Sequence, residues 1–330
     1  MKKYFGWIKN MKRKGGSNKI NKKKTGRKRK RKKRKKTRKK RKKYTRKFKK
    51  DKCSPKLNKD HLDFTCYTKN SLFKLKEIWN KKHPDMLIQS NKPREIWKSL
   101  NYVFSKTCSR ESCWLKHKAL TENISLDIKK NTFAPKRPDE WKENPTEWLS
   151  SIEILEVMKQ YEKIYPCFNF IGPSPIDYDK HVAYGECVWE ELCEFNLEKM
   201  LNEGKKKIGV IFNLDAHDKP GSHWVALFIN NTKKRIYYLD SYGDSYGEEI
   251  PSKINKFSNK VIKQADVLGL GKYELLVNKR RHQFSDSECG MYSLYFIIQM
   301  LKGKCFEKFT KERIKDDFMK KLRKKYFNDI

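Results

Sequence analysis

Residues 223–240 tie the chain to a fold built on a β-sheet. The strings HWVALFIN (223–230) and KRIYYLD (234–240) alternate and are rich in β-branched and aromatic residues. Between them Asn230, Asn231, Thr232 and Lys233 read as a turn. The pattern predicts a hairpin. With the turn centred between Asn231 and Thr232, His223 falls directly opposite Asp240, and such pairs bring their Cβ atoms to roughly 4.5–5.5 Å. A carboxylate there can accept the imidazole N–H, fixing the tautomer and freeing the other ring nitrogen for a second partner. A one-residue slip would send the two to opposite faces, so the pairing rests on register.

A second pattern lies downstream. Met291, Leu294, Tyr295, Ile298 and Leu301 recur at helical spacing just after Cys289-Gly290, which predicts a helix opening at the cysteine. Unpartnered N–H groups at a helix start carry partial positive charge and favour an anion, a thiolate included. Ser285, Asp286 and Ser287 are residue types that cap such an end. Most cysteines are small buried residues, and Cys305 fits that description. Cys289, with its own N–H aimed at any oxyanion formed on it and with His223, Asp240 and Gln283 in the same chain, fits nucleophilic chemistry better.

The order His223-Trp224, Asp240, Gln283, Cys289-Gly290, with Gln283 six residues before Cys289, resembles the cysteine proteases of the ubiquitin-like-protein protease and adenovirus protease superfamily (clan CE). The spacings are closest to its SUMO-protease branch. Trp148-Leu149-Ser150-Ser151 resembles the WLxD motif that begins that catalytic domain, with Ser151 in place of Asp, and Glu288 stands where many members have Asp. The phrase FIGPSPIDYD (Phe170 to Asp179) and the lysine-rich context look most like thiol proteases of nucleocytoplasmic large DNA viruses. The resemblance spans about residues 145–305.

That resemblance implies a nucleophile at Cys289, a base at His223, an orienting carboxylate at Asp240 and an oxyanion donor at Gln283. It implies that Trp224 covers a narrow channel admitting small residues, typically Gly, before the scissile bond. The reaction is then acyl transfer through a thioester, with no cofactor and no metal. Losing one oxyanion donor in such a site typically costs about 10²- to 10³-fold in rate.

Composition divides the chain near residue 50. Residues 1–50 hold 30 Lys plus Arg and no Asp or Glu, against 50 basic and 39 acidic residues in the remainder. A segment with such self-repulsion and so little to bury is expected to be disordered, and to bind DNA or RNA with little sequence preference and a strong salt dependence. It also reads as a nuclear-localisation patch. No apolar run reaches the length of a membrane span. Nine scattered cysteines suit a reducing compartment.

Residues 51–145 read as a helical accessory domain with a Pro-containing linker. Leu72, Leu75, Ile78 and Trp79 form one apolar stripe, and Ile96, Trp97, Leu100, Val103 and Phe104 a second. His83-Pro84-Asp85 suits a helix ending at a Pro turn better than a J-domain tripeptide. Two metal readings were weighed and rank below the bland ones. Cys108, Cys113 and His117, with Cys53 or Cys66, could hold zinc or face a buried helix side. Asp215, His217 and Asp218 with His223 could hold a divalent ion, but the Lys219-Pro220-Gly221 that follows suits a polar loop.

The expected fold is α+β. A papain-like or adenain-like protease domain over 146–330 has an antiparallel core containing strands at 207–213, 223–230 and 234–240. Helices are expected at about 146–162 and 186–203, packed with the Cys289 helix, and a last one from Lys308 to Phe327. The expected activity is an endopeptidase cutting after small residues in viral precursor proteins, in the virion or a cytoplasmic virus factory, with a nuclear location as the alternative. A deconjugating isopeptidase acting on a ubiquitin-like modifier is the alternative function. A nucleic-acid-binding protein with a degenerate protease fold is the third, weakened because all four chemical positions are occupied.

Overall fold

The computed structural model describes residues 48–56, 61–121, 124, 126–243 and 250–329. The disordered-tail expectation therefore lies outside the described residues, apart from Phe48 to Lys50.

Two long helices begin the described chain, α1 (Lys69–Lys82) and α2 (Pro93–Phe104). Thr68 caps α1, its side chain accepting from the Ser71 N–H, and Pro93 opens α2 where a missing N–H costs nothing. His83 ends α1 with its ring stacked 3.7 Å over Trp79, so the His-Pro-Asp string is a helix stop. Three short helices follow: α3 (Glu111–Trp114), α4 (Lys118–Thr121) and α5 (Leu126–Asn131). Leu72, Leu75, Ile96, Leu100, Phe104 and Trp114 are fully buried in one cluster here. Disulfides Cys53–Cys66 and Cys108–Cys113 cross this region, so the sulfurs weighed as zinc ligands bond each other instead. A third disulfide joins Cys187 and Cys193, leaving Cys167, Cys289 and Cys305 free. Six of the nine cysteines are thus paired, although their spacing in sequence shows no disulfide framework.

The sheet follows α6 (Ser151–Ile164). Its strands are β1 (Phe168–Phe170), β2 (Ser174–Pro175), β3 (Lys207–Asn213), β4 (Trp224–Asn230), β5 (Arg235–Leu239) and β6 (Glu274–Val277). The order is β1-β3-β4-β5-β6, with β2 also on β3. The centre, β3-β4-β5, is antiparallel as expected, while β1, β2 and β6 pair in parallel. Helices α7 (Glu190–Cys193) and α8 (Leu197–Asn202) precede β3, and α9 (Ser252–Val267) precedes β6. Cys289 opens α10 (Cys289–Leu301), followed by α11 (Phe306–Lys311) and α12 (Asp316–Tyr326). The predicted helix over 186–203 is broken into two, and that over 308–327 likewise, with residues 312–315 between its halves.

Every β4 residue is buried, because both faces of the sheet are covered. Trp224, Ala226 and Phe228 face α10 and α6, while Val225, Leu227 and Ile229 face the Ile254-Phe257-Val261 stripe of α9. A period-two strand between two helical layers buries both sets, so the hairpin reads as apolar throughout.

The helical region and the protease region are closed on each other by Asn328. Its side chain accepts from the Lys52 N–H at 2.6 Å and donates to the carbonyls of Lys52 at 2.8 Å and Ala134 at 2.9 Å.

Candidate active site

His223 stands one residue before β4, and Asp240 one residue after β5. The ladder pairs Ala226 with Leu239 and Asn230 with Arg235, so the turn is centred one residue later than the sequence suggests. Lys234, at φ 52°, takes the left-handed conformation that closes this longer loop. Extending the ladder puts Tyr242, not Asp240, across from His223, and the two rings stack at 4.6 Å. Asp240 becomes the diagonal neighbour. Moving the turn centre by one residue changes the cross-strand partner by two, and side chains two apart share a face. The predicted contact therefore forms despite the wrong register, with His223 Nε2 2.7 Å from Asp240 Oδ1. The Tyr242 N–H donates to the same oxygen at 2.8 Å.

With Nε2 committed to Asp240, Nδ1 is left for the thiol. Burial alone would push the imidazole down, but hydrogen bonding to Asp240 and to Cys289 outweighs it and raises the pKa to about 10.

Cys289 is the first residue of α10 and 2 % exposed. The predicted side-chain cap is absent: Glu288 occupies the N-cap without a side-chain hydrogen bond to the helix. Glu288 instead turns inward, fully buried, and accepts from Arg323 Nε at 2.9 Å. Arg323 also donates to the carbonyls of Glu147 at 2.6 Å and Ser287 at 3.0 Å, and lies over the Trp141 ring. The ion pair thus holds the start of α10 to α12. A side chain at Gly290 would be tight, since a Cβ there would sit 3.0 Å from Leu149 Cβ and 3.3 Å from the Trp224 ring. Ser150 caps α6 in a capping box with Glu153. The Leu149 carbonyl accepts the Trp224 indole N–H at 3.0 Å, so the WLSS segment is built into the floor of the site. Trp224 itself is only 2 % exposed.

Gln283 is fully buried. Its Oε1 accepts from the Ser241 hydroxyl at 2.7 Å, which points the amide nitrogen the other way. That nitrogen donates to the Ser285 carbonyl at 2.5 Å and lies 3.4 Å from the Tyr242 hydroxyl, a weak contact that leaves one N–H able to turn to a developing oxyanion. The backbone N–H groups of His282 and Gln283 both donate to the Ser241 carbonyl, pinning the 279–283 loop against residues 240–243. Gly243, at φ 65°, makes that approach possible: a Cβ would lie 2.6 Å from Arg280 C and Arg281 N. Gly243→Ala combines a disfavoured φ with a backbone clash and is expected to destabilise by more than about 1 kcal/mol. It should also lower kcat/KM by separating Gln283 from Tyr242. A thermal melt and a peptide assay check both, and an unchanged kcat/KM would show that the two loops need not touch.

Tyr242 is the site residue that sequence reasoning missed. It lies between His223 and Gln283, and no sequence signal marks it because the turn centre that sets its register is not legible from Asn230 to Lys233. The candidate divalent site does not assemble: His217 Nδ1 pairs with Asp177 at 2.7 Å, and Asp215 accepts from Ser222 at 2.8 Å. Among the described residues the cluster of potential metal ligands is His181, Cys187 and Cys193, two of which share a disulfide.

A buried thiol at a helix head, an imidazole held to a carboxylate, and an amide on the adjoining loop are the groups that thiol-based acyl transfer uses. The chain belongs to the Ulp1 protease family, whose C-terminal catalytic domain matches residues 157–330. It is 35 % identical to a protein of Acanthamoeba polyphaga mimivirus named as a thiol protease, over 73 % of this chain and 76 % of that one. It is 27 % identical to a cysteine protease of African swine fever virus, over 71 % of this chain and 89 % of the relative. The crystal structure of the African swine fever virus protease shares the fold, with a TM-score of 0.57 at 22 % identity, covering 84 % of this chain and 95 % of that one.

Proposed function

We propose that this cysteine peptidase is an endopeptidase cutting after small residues, of the Gly-Gly or Gly-X type, in viral structural precursors during particle assembly. The 2.7 Å bond between His223 and Asp240, beside a free Cys289 at the head of α10, carries the chemical part of that reading. The viral source of the relatives supports the rest.

In this reading the Cys289 sulfur attacks the scissile carbonyl carbon. The oxyanion is received by the Cys289 N–H and the Gln283 amide. The C–N bond then breaks as the His223 imidazolium passes its proton to the leaving amine, giving a thioester. Water attacks the thioester, losing its proton to His223, and the acid product leaves as the thiolate is restored. Trp224 covers the narrow channel that admits small residues, its indole held by the hydrogen bond to the Leu149 carbonyl. The 1–50 segment would hold the enzyme to DNA or RNA in the virion or virus factory, raising the local concentration of substrates packaged there.

A Gly-Gly vinyl sulfone tests the reading. It should alkylate Cys289 in the native protein and leave Cys289→Ala unmodified, located by peptide mass. A native protein labelled at Cys167 or Cys305 and not at Cys289 would remove Cys289 from the nucleophile's role. The second reading, a deconjugating isopeptidase, draws on the name of the African swine fever virus relative from another isolate, a SUMO-1 cysteine protease. A ubiquitin-like vinyl sulfone reacting faster than the dipeptide probe would favour it.

A further inference from the structure

A cleft of about 770 Å³ opens where the helical region meets α12, and Cys289 is not among the residues that line it. It is lined by nine Lys and Arg side chains and by the carboxylates of Asp317 and Asp329. Both carboxylates already have cations, Asp329 with Arg137 and Asp317 with Lys320 at 3.8 Å. Arg323 is committed to Glu288 and to backbone carbonyls. The exposed Lys49, Lys50, Lys52, Lys321 and Lys324 remain, brought together from two segments some 270 positions apart in sequence, and among the described residues no carboxylate forms an ion pair with any of them.

We propose that this cleft is a binding site for the phosphate backbone of nucleic acid, formed by the folded protein and separate from the preceding basic segment. Five unpaired ammonium groups around one concavity repel each other, and an anion between them removes that repulsion while releasing its own counterions. The chain enters the cleft at Lys49, directly after 48 residues carrying 28 Lys and Arg. A ligand engaging both must continue as a regular array of negative charges beyond the cleft. A polynucleotide does so along its whole length, whereas a short acidic peptide does not. The proposal deepens the nucleic-acid part of the proposed function and shares its premise that the chain meets DNA or RNA. It adds a location and a geometry: the cleft wall carries Arg323, so bound phosphate would lie on the far side of the ion pair that anchors the start of α10.

The test uses the full chain and a labelled DNA duplex of mixed sequence, with affinity measured over a range of salt. Lys52→Gln/Lys321→Gln/Lys324→Gln removes three cleft charges. Lys199→Gln/Lys206→Gln/Lys272→Gln removes three exposed charges elsewhere at the same net cost. Each lost phosphate contact lowers the slope of log K against log salt by about 0.9. The cleft variant is expected to lose about 2–3 units of slope, and the control less than about 1. Equal losses in the two variants would overturn the proposal, because bulk charge and the basic segment would then suffice. Displacement of the duplex by polyglutamate as readily as by unlabelled DNA would also overturn it, in favour of an acidic protein ligand. If the native chain binds no duplex at all, the nucleic-acid part of the proposed function fails with it. Vinyl sulfone labelling of Cys289 in the same samples reports separately on folding and on the protease reading.

Discussion

Asp240→Asn is expected to lower kcat/KM by about 10²- to 10⁴-fold, the range spanned by positioned acid–base groups, and to move the alkaline limb of the pH profile downward. The physical cause is the 2.7 Å bond to His223 Nε2, one of the interactions that raise the imidazole pKa to about 10 against the effect of burial. Asn keeps the shape and removes the charge, so the imidazolium loses support and deprotonates at lower pH. The sign follows from linkage. A histidine whose folded pKa lies above its unfolded value of about 6.5 contributes stability that is fully present below that value. The contribution disappears as pH rises through the folded pKa, here about 10. The stability gap between native protein and variant should therefore be widest below about pH 6.5 and close toward pH 10. Denaturant melts across that window, together with the kcat/KM profile, check both halves. An alkaline limb that stays in place in Asp240→Asn would mean that the carboxylate orients the ring without sustaining its charge.

Arg323→Met is expected to destabilise the fold by about 3–5 kcal/mol, because it leaves the buried Glu288 carboxylate without its counter-charge. The cost should fall on activity too, since Glu288 immediately precedes Cys289 and Arg323 also holds the Ser287 carbonyl. Burial already pushes the Glu288 carboxyl above its usual range, with Arg323 pulling it back. Removing Arg323 raises it further. A carboxyl whose folded pKa exceeds its unfolded value favours folding more as pH falls between the two, so the variant's deficit should be largest at neutral pH and shrink on acidification. Arg323→Met/Glu288→Met should recover much of the lost stability, as apolar replacements of buried pairs often do. The recovery should be incomplete, because the carbonyls of Glu147 and Ser287 would remain without their donor. A double variant no more stable than Arg323→Met would show that those carbonyls, not the carboxylate, carry the cost. The Glu at this position, where Asp is common in the resembling proteases, thus has a local reason: its side chain reaches Arg323 on α12.

The parts of the site that were legible in sequence rest on short-range periodicity. Apolar spacing after Cys289 located the helix start, and period-two alternation put His223 and Asp240 on one face. That second inference tolerated an error in the turn because the error moved the partner by an even number. The turn centre was not legible, since Asn230 to Lys233 are equally acceptable turn residues and the left-handed residue proved to be Lys234. The parallel strands β1, β2 and β6 span only three, two and four residues, too short for a period to show. Helix α9 passed unnoticed because Ile254, Phe257, Val261 and Ala265 form a narrow stripe in an otherwise polar run. The Glu288–Arg323 pair and the disulfides depend on approaches across the fold that no local pattern encodes. Cys53 and Cys66, with Cα atoms 5.0 Å apart, are brought together by loops.

The Asn328 clasp has a consequence for how the enzyme is made. Its partner Lys52 lies 276 positions earlier, and Arg323 lies 35 positions after Glu288. A ribosome delivers the chain from its N-terminal side, so Cys289 is joined to the chain before Arg323 and Asn328. During that interval Glu288 has no counter-charge, and the helical region has nothing to close against. The nascent polypeptide therefore carries its thiol, imidazole and carboxylate without the scaffold that aligns them. The scaffold around Cys289 is complete only when α12 and the residues just after it have been added.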